Sequence, residues 1–323
     1  MALPSSARAA TIVGRLALWS LSLFLLSCGV AVPTTTLRLI GSLPAWPWIA
    51  SAHAWSCTTA LCAGWSLLFV LFVLQRLFVP PRPSVHRPRA GARVHVALTA
   101  YDDEVCIGDA VLDFKIAAVD RVIVVENNST DRTRAVALES GADEVITEMT
   151  PGYGACCMRA LEEAAKNLRD EDIIILCEGD MTFSGQDVPK FLAYLENCDL
   201  VLGTRATQEL RHTDTQMDWL INPANQILAK MIQTRFWGVR LTDVGCTYRA
   251  MWVGSYRRLR ASLHVTGNHF SPHMFIEALQ TRMRVLEIPV VFRKRGGTFK
   301  GVGSSKIRAA RAALRMLGLL YRA

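Results

Sequence analysis

The chain has 323 residues, is 51% hydrophobic and carries a formal net charge of +8. The charge is segregated: residues 1–93 hold eight Arg and no Asp, Glu or Lys, residues 94–292 hold 19 basic against 28 acidic side chains, and residues 293–323 hold nine basic and no acidic ones. Basic ends beside apolar stretches, without a nucleic-acid-binding motif, argue against a nucleic-acid partner and for an anionic membrane surface.

Leu16 to about Val32 is an apolar run of marginal length, readable as a membrane span or as a signal peptide. About Ile49 to Val79 is longer and reads as a span; residues 1–79 are thus expected to form a membrane anchor of two helices. Arg76, Arg82, Arg87, Arg89 and Arg93 cluster at and after its end, while the loop between the segments holds only Arg38. The positive-inside rule then puts residue 80 onward in the cytoplasm. Residues 80–93 are a stiff Pro- and Arg-rich linker fit to run along lipid headgroups.

From Val94 the pattern alternates strand and helix. Strands are expected at Val94–Leu98, Arg121–Val125, Glu144–Ile146 and from Ile173, with helices at Cys106–Ala118, around Ala135–Ser140 and at Gly154–Leu168. Such alternation predicts an α/β fold with a mostly parallel sheet covered on both faces. Three strand ends carry polar loops: Asp102-Asp103-Glu104, Glu126-Asn127-Asn128 and Glu178-Gly179-Asp180. In this architecture they gather on one sheet edge, where ligands bind. Glu178 and Asp180 project to the same side and suit a divalent cation, Mg²⁺ or Mn²⁺, held against a diphosphate. Strand ends also attract such residues simply as turn formers. No G-x-G-x-x-G and no P-loop is present, so neither rival nucleotide fold is supported. Nine cysteines without a C-x-x-C pair give no disulfide framework and no zinc pattern, and around His264, His269 and His273 the residues Gly267 and Pro272 argue against the regular helix that an i,i+4 zinc pair needs.

These residues resemble a family 2 glycosyltransferase of the GT-A fold, and more narrowly the polyprenyl-phosphate (dolichol-phosphate) mannosyl- and glucosyltransferases. Ala100-Tyr101-Asp102-Asp103-Glu104 is similar to that family's P-A-Y-N-E-E, and Val124 to Thr133 to V-V-D-D-G-S-T-D-G-T. Pro151 to Gly154 is similar to the Gly-rich turn under the donor, and Glu178-Gly179-Asp180 sits where D-x-D belongs. Asp199 to Arg205 resembles D-x-V-x-G-S-R, Thr242 to Arg249 resembles T-D-x-x-x-G-F-R, Glu287 to Val290 resembles E-V-P-I, and Arg295 with Gly303 to Lys306 resembles R-x-x-G-x-S-K. The sequence departs from the family at Glu126, Asn127 and Glu178, each of which stands in an Asp position, and in the stretched interval from Arg295 to Ser304.

The resemblance implies a GT-A domain over 94–306 that transfers a sugar, with inversion, from a GDP- or UDP-linked donor to a polyprenyl phosphate at the cytoplasmic face. It implies Asp180 and Glu178 as metal ligands. Ala100, Tyr101, Asp102, Glu104, Glu126 and Asn128 would hold base and ribose, and Gly154 would lie under the donor. Arg205, Arg249, Arg295, Ser304 and Lys306 would face phosphates, with Asp180, Asp243 and Arg295 as the catalytic group. A hydroxyl acceptor on a lipid-linked glycan or glycolipid is the alternative and needs a base, for which Asp243 and Glu277 are candidates; an acceptor phosphate needs none. The third alternative is an inert membrane scaffold of the same fold. Residues 307–323 read as an amphipathic interfacial helix. Self-association into a homo-oligomer stays open.

Overall fold

The computed structural model describes residues 5–39, 47–74, 77, 83–117, 119–212, 215, 221–237, 239–297 and 306–323. They divide into two units, residues within 1–83 with 230–239, and residues 84–229 with 240–323.

The first unit is dominated by helices α1 (Ser5–Leu39) and α2 (Pro47–Phe69), the latter continued by a π-helical turn at Val70–Leu74. Ala9–Leu39 and Trp48–Leu74 are both long and apolar enough to cross a membrane. At 1.5 Å per residue even the shorter segment spans about 40 Å, more than a hydrocarbon core of about 30 Å. Helix α1 runs past Val32, where its apolar run ends, and continues through Pro33. The hydroxyls of Thr34, Thr35 and Thr36 donate back to the carbonyls of Val30, Ala31 and Val32, so each polar group is satisfied within the helix. Thr34 also bonds the His53 ring at 2.8 Å, a polar tie between the two helices. Trp19, Trp55 and Trp65 lie on the outside, an apolar surface that suits lipid.

The second unit is built on a seven-stranded sheet: β1 (Val94–Ala100), β2 (Arg121–Glu126), β3 (Glu144–Thr147), β4 (Ile173–Glu178), β5 (Leu200–Thr204), β6 (Arg249–Trp252) and β7 (Val285–Pro289), in the order β3-β2-β1-β4-β6-β5-β7. Only β6 runs antiparallel to its neighbours, a departure from the alternation that the chain shows up to β4. All seven residues of β1 are buried, so both of its faces are covered. Val94, Val96, Leu98 and Ala100 share a core cluster with Ile107, Ala110, Val111 and Phe114 of α3 (Ile107–Ile116). On the opposite face, by strand alternation, His95 bonds the Ala164 carbonyl at the end of α5 (Tyr153–Ala164), while α4 (Thr133–Glu139) lies between β2 and β3 in the chain.

The linker is fastened to this unit. Arg87 N–H donates to the Glu196 carbonyl at 2.7 Å, and the Arg87 and Arg89 side chains meet Asp199 and Glu196 at 3.3 and 3.5 Å. Two arginines expected to follow headgroups therefore face the acidic turn after α6 (Val188–Leu195). Asp172, fully buried, accepts from the backbone N–H groups of Arg93 and Arg169, which pins the start of β4 beside that of β1. Burial works against its charge, but these bonds prevail and hold its carboxyl down at about 2.

Candidate active site

Parallel pairing brings three strand ends level. Thr99 pairs with Glu178 and Ala100 with Glu126, so the loops after β1, β2 and β4 leave the sheet side by side. Backbone bonds from Gly179 N–H to Thr99 and from Asn127 N–H to Ala100, both 2.9 Å, extend the alignment beyond the strands. Each loop contains a non-glycine residue with positive φ: Asp102 at 47°, Asn128 at 57° and Met181 at 65°. Such conformations cost about 1 kcal/mol or more each and concentrate at functional sites.

The centre of this edge is an arginine shared by two carboxylates. Arg295 reaches Asp103 Oδ1 through Nη2 at 2.9 Å and Asp180 Oδ2 through Nη1 at 3.2 Å. Asp180 is 2% exposed, and its other oxygen accepts from the Thr182 amide and hydroxyl. Asp103 mirrors it, with Oδ2 accepting from Tyr101 N–H at 3.0 Å. Burial opposes the charge on Arg295, yet Asp180 and Asp103 raise its affinity for the proton. Asp103 and Thr182 had no assigned role in the sequence. Asp103 was legible only as the middle of Asp102-Asp103-Glu104, and the left-handed turn at Asp102 is what directs it inward.

Glu178 ends β4, two residues before Asp180. Among the described residues no hydrogen bond or ion pair engages its carboxylate. Burial and the Asp180 charge push its carboxyl up to about 8. Among the described residues no group of three His, Cys, Asp or Glu converges as a metal cage. Two carboxylates are nevertheless the complement that Mg²⁺ or Mn²⁺ uses when a diphosphate and waters complete its shell. Cys106, against the same cluster, is pushed up to about 12 by burial and by Asp103 and Asp180, so it offers no thiolate at neutral pH.

The residues expected to hold base and ribose brace one loop against the other. Asp102 accepts from Thr130 N–H at 2.7 Å and Glu104 from Arg132 N–H at 2.9 Å. Glu126 is buried and turned inward, taking Ser129 N–H at 2.6 Å and the Thr147 hydroxyl. Asn127 donates to the Glu148 and Thr150 carbonyls and accepts from Gly152 N–H, each at 2.8 Å. An aspartate there would set a carboxylate against two carbonyls, so this loop arrangement calls for an amide. Asn128 and Tyr101 are exposed, and Ala100 closes β1 beneath them. An open pocket of about 510 Å³ lies between residues 102–105, Thr130–Asp131 and Gly296–Gly297.

The remaining expected residues separate. Arg205 grips Asp243 through Nε at 2.7 Å and Nη2 at 2.9 Å. Asp243 is 1% exposed and also accepts from Asn225, Gly245 N–H and Arg205 N–H. Burial works to raise its pKa, but Arg205 overrides that and holds it down at about 2. A carboxylate so saturated does not accept a proton near neutral pH. Glu287 secures the same loop by accepting from Thr242 N–H and Asp243 N–H. Arg249, expected to face phosphates, is 1% exposed, bonds the Cys246 carbonyl and lies over Phe275. Gly154 donates its N–H to the Thr266 carbonyl at 2.7 Å and is covered by that loop. A Cβ on Gly154 would stand 2.1 Å from the Val265 carbonyl oxygen, so glycine here serves the close approach of two backbones. Gly154→Ala is expected to destabilise the domain by at least about 1–3 kcal/mol, read as a lower thermal midpoint. Glu277 is half-buried, with its carboxyl pushed up by burial, and stands 3.8 Å from the His273 ring. Ser304 lies outside the described residues; Lys306 opens the helix Lys306–Arg322.

The family model described as Glycosyl transferase family 2 matches residues 97–260, which is 164 of the 323 residues and spans β1 to the helix after β6. The chain belongs to glycosyl transferase family 2. Among similar proteins, the low-salt glycan biosynthesis hexosyltransferase Agl6 of Haloferax volcanii is 27% identical over 177 residues, 54% of this chain and 40% of its own. An uncharacterized glycosyltransferase of Mycobacterium tuberculosis is 32% identical over 147 residues, 45% of this chain and 62% of its own. The chain thus spans less than two thirds of the length of either relative. Glucosyl-3-phosphoglycerate synthase from Mycobacterium tuberculosis, solved with Mn²⁺, uridine diphosphate and phosphoglyceric acid, superposes with a TM-score of 0.54 at 18% identity, covering 73% of this chain and 83% of that one. That likeness establishes the GT-A fold for this family 2 member.

Proposed function

We propose that this family 2 member is an inverting, metal-dependent glycosyltransferase that moves a sugar from a GDP- or UDP-linked donor to a polyprenyl phosphate at the cytoplasmic membrane face. The observation that carries the reading is the meeting of Asp180 and Arg295 at level strand ends, beside a Glu178 carboxylate that no described residue engages. Glu178 and Asp180 would hold Mg²⁺ or Mn²⁺, which when bound neutralises charge on the departing nucleoside diphosphate. Arg295 brings a second positive group to the same place. Its planar fork suits phosphate oxygens as it suits the two carboxylates. The braced loops carrying Asp102, Glu104 and Asn128 border the pocket and would receive base and ribose, with Glu126 and Asn127 stiffening them from beneath.

The choice of a phosphate acceptor is supported by the engagement of Asp243, one of the two candidate bases. Asp243 is spent on Arg205, Asn225 and Gly245, so it serves as a positioning residue for Arg205. An acceptor phosphate is already ionised and attacks the anomeric carbon without proton removal, so it asks only for alignment and positive charge. A hydroxyl acceptor would fall to Glu277 as base, the one expected base with a raised pKa. Membrane anchorage through α1 and α2, the positive-inside bias and the Arg-rich helix Lys306–Arg322 all favour a lipid acceptor reached from the cytoplasm.

Membranes carrying the full chain, given radiolabelled UDP- and GDP-sugars with Mg²⁺ or Mn²⁺, are expected to yield a lipid product labile to mild acid. An acid-stable lipid product would transfer the assignment to a hydroxyl acceptor. No product across the donor panel would leave only a scaffold.

A further inference from the structure

We infer that Arg295 is the resident counter-cation of the acidic strand-end site, and that it and a divalent ion are alternative partners of the outward oxygen of Asp180. On this inference the ion binds tightly only together with a nucleotide diphosphate, which gives Arg295 a new anionic partner. It rests on the reading of Glu178 and Asp180 as the metal site.

The division of the carboxylate oxygens carries the argument. Asp180 has one oxygen tied to the Thr182 turn and Asp103 has one tied to Tyr101 N–H; the outward oxygen of each goes to Arg295. The oxygen of Asp180 that a cation would take is therefore the one that the guanidinium holds. Two cations on one oxygen repel, and the surrounding burial strengthens that repulsion. Arg295 is also held in place by its backbone: Arg293 N–H donates to Thr182 at 2.8 Å and Gly296 N–H to Asp180 at 3.1 Å. Gly296 makes that approach feasible, because a Cβ there would stand 2.6 Å from Cys106 Cβ. The Arg295 Nε is buried without an acceptor. A guanidinium with two arms on carboxylates and its Nε–H unspent is poised to exchange carboxylate for phosphate, and the segment beside it lines the open pocket.

The test is Mn²⁺ titration of the full-length protein in detergent, followed by the electron paramagnetic resonance signal of free Mn²⁺, alone and with UDP or GDP. Wild type is expected to bind Mn²⁺ about tenfold or more tightly with the matching nucleotide than without it. Arg295→Gln is expected to bind Mn²⁺ alone about tenfold more tightly than wild type, and to gain less from nucleotide. Folded Arg295→Gln that binds Mn²⁺ alone no more tightly than wild type overturns the inference. If Arg295→Gln does not fold, Arg295→Lys, which cannot span both carboxylates, must show the same shift in smaller degree, and its equality with wild type overturns the inference as well. If wild type and variants bind no Mn²⁺ under any condition, the metal reading itself falls and takes the inference with it.

Discussion

Asp180→Asn is expected to lower sugar transfer by about a thousandfold while leaving the fold and the membrane location intact. Asparagine keeps an oxygen toward the Thr182 amide and hydroxyl, so the turn after β4 persists. Arg295 retains Asp103, so no guanidinium is left without a counter-charge. What disappears is the negative oxygen that now faces Arg295 and would face the metal and the diphosphate. The measurement is initial rate on isolated membranes at saturating donor, with circular dichroism and the thermal midpoint of the purified protein alongside. Activity within tenfold of wild type, with the protein folded, would sink Asp180 as the metal ligand. Glu178→Gln separates the two members of the pair. If Glu178 is a direct ligand, its loss should be comparable and should worsen as Mn²⁺ is reduced.

Asp243→Ala should produce the largest loss of stability, about 3–5 kcal/mol, because it strands the buried Arg205 guanidinium. The Arg205 side chain is 18% exposed and gives Asp243 both of its forks as well as its backbone N–H. The pH dependence has a definite sign. The folded carboxyl is held at about 2, below its ordinary value of 3.8. Its contribution is therefore present above pH 4 and is lost as pH falls towards 2. The gap in thermal midpoint between wild type and Asp243→Ala should be constant at neutral pH and narrow below pH 4. A double replacement by apolar residues of similar size, Arg205→Met with Asp243→Leu, should recover most of the stability, since desolvating the pair offsets much of its attraction. If the double variant is folded but inactive, the pair positions the site rather than merely holding the loop. A gap that persists unchanged to pH 2 would show that Asp243 acts through packing and not through its charge.

The α/β alternation up to β4 was readable because strand and helix have different hydrophobic periods, and β1 and β4 are near-continuous apolar runs. The polar loops at 102–104, 126–128 and 178–180 were readable because sequence alone shows where such runs stop. Their convergence followed from parallel pairing, which the registers bear out. Antiparallel β6 was not readable: a four-residue strand after a long irregular stretch carries no sign of its direction.

Within the site, residue type was legible and orientation was not. Arg205, Arg249 and Arg295 look alike as basic residues in matching blocks. Only packing assigns the first to a buried carboxylate, the second to the core over Phe275, and the third to the strand-end cluster. Gly154 was expected under the donor, yet its missing Cβ accommodates the Val265–Thr266 backbone. Asn127 was legible only as an amide in an Asp position, yet it closes a three-bond tie that no carboxylate could make.

By itself, then, the sequence determined the family, the three polar strand ends that lie level at one sheet edge, and the apolar length of the two N-terminal helices. Those properties rest on local chain periodicity and on which residues end each strand. Tertiary structure alone decided that Asp103 rather than its neighbours points inward, and that Arg295, 115 positions beyond Asp180 in the chain, supplies the charge between them. The physical reason is that a carboxylate's role depends on which cation reaches it across the fold, and no local pattern encodes that distance.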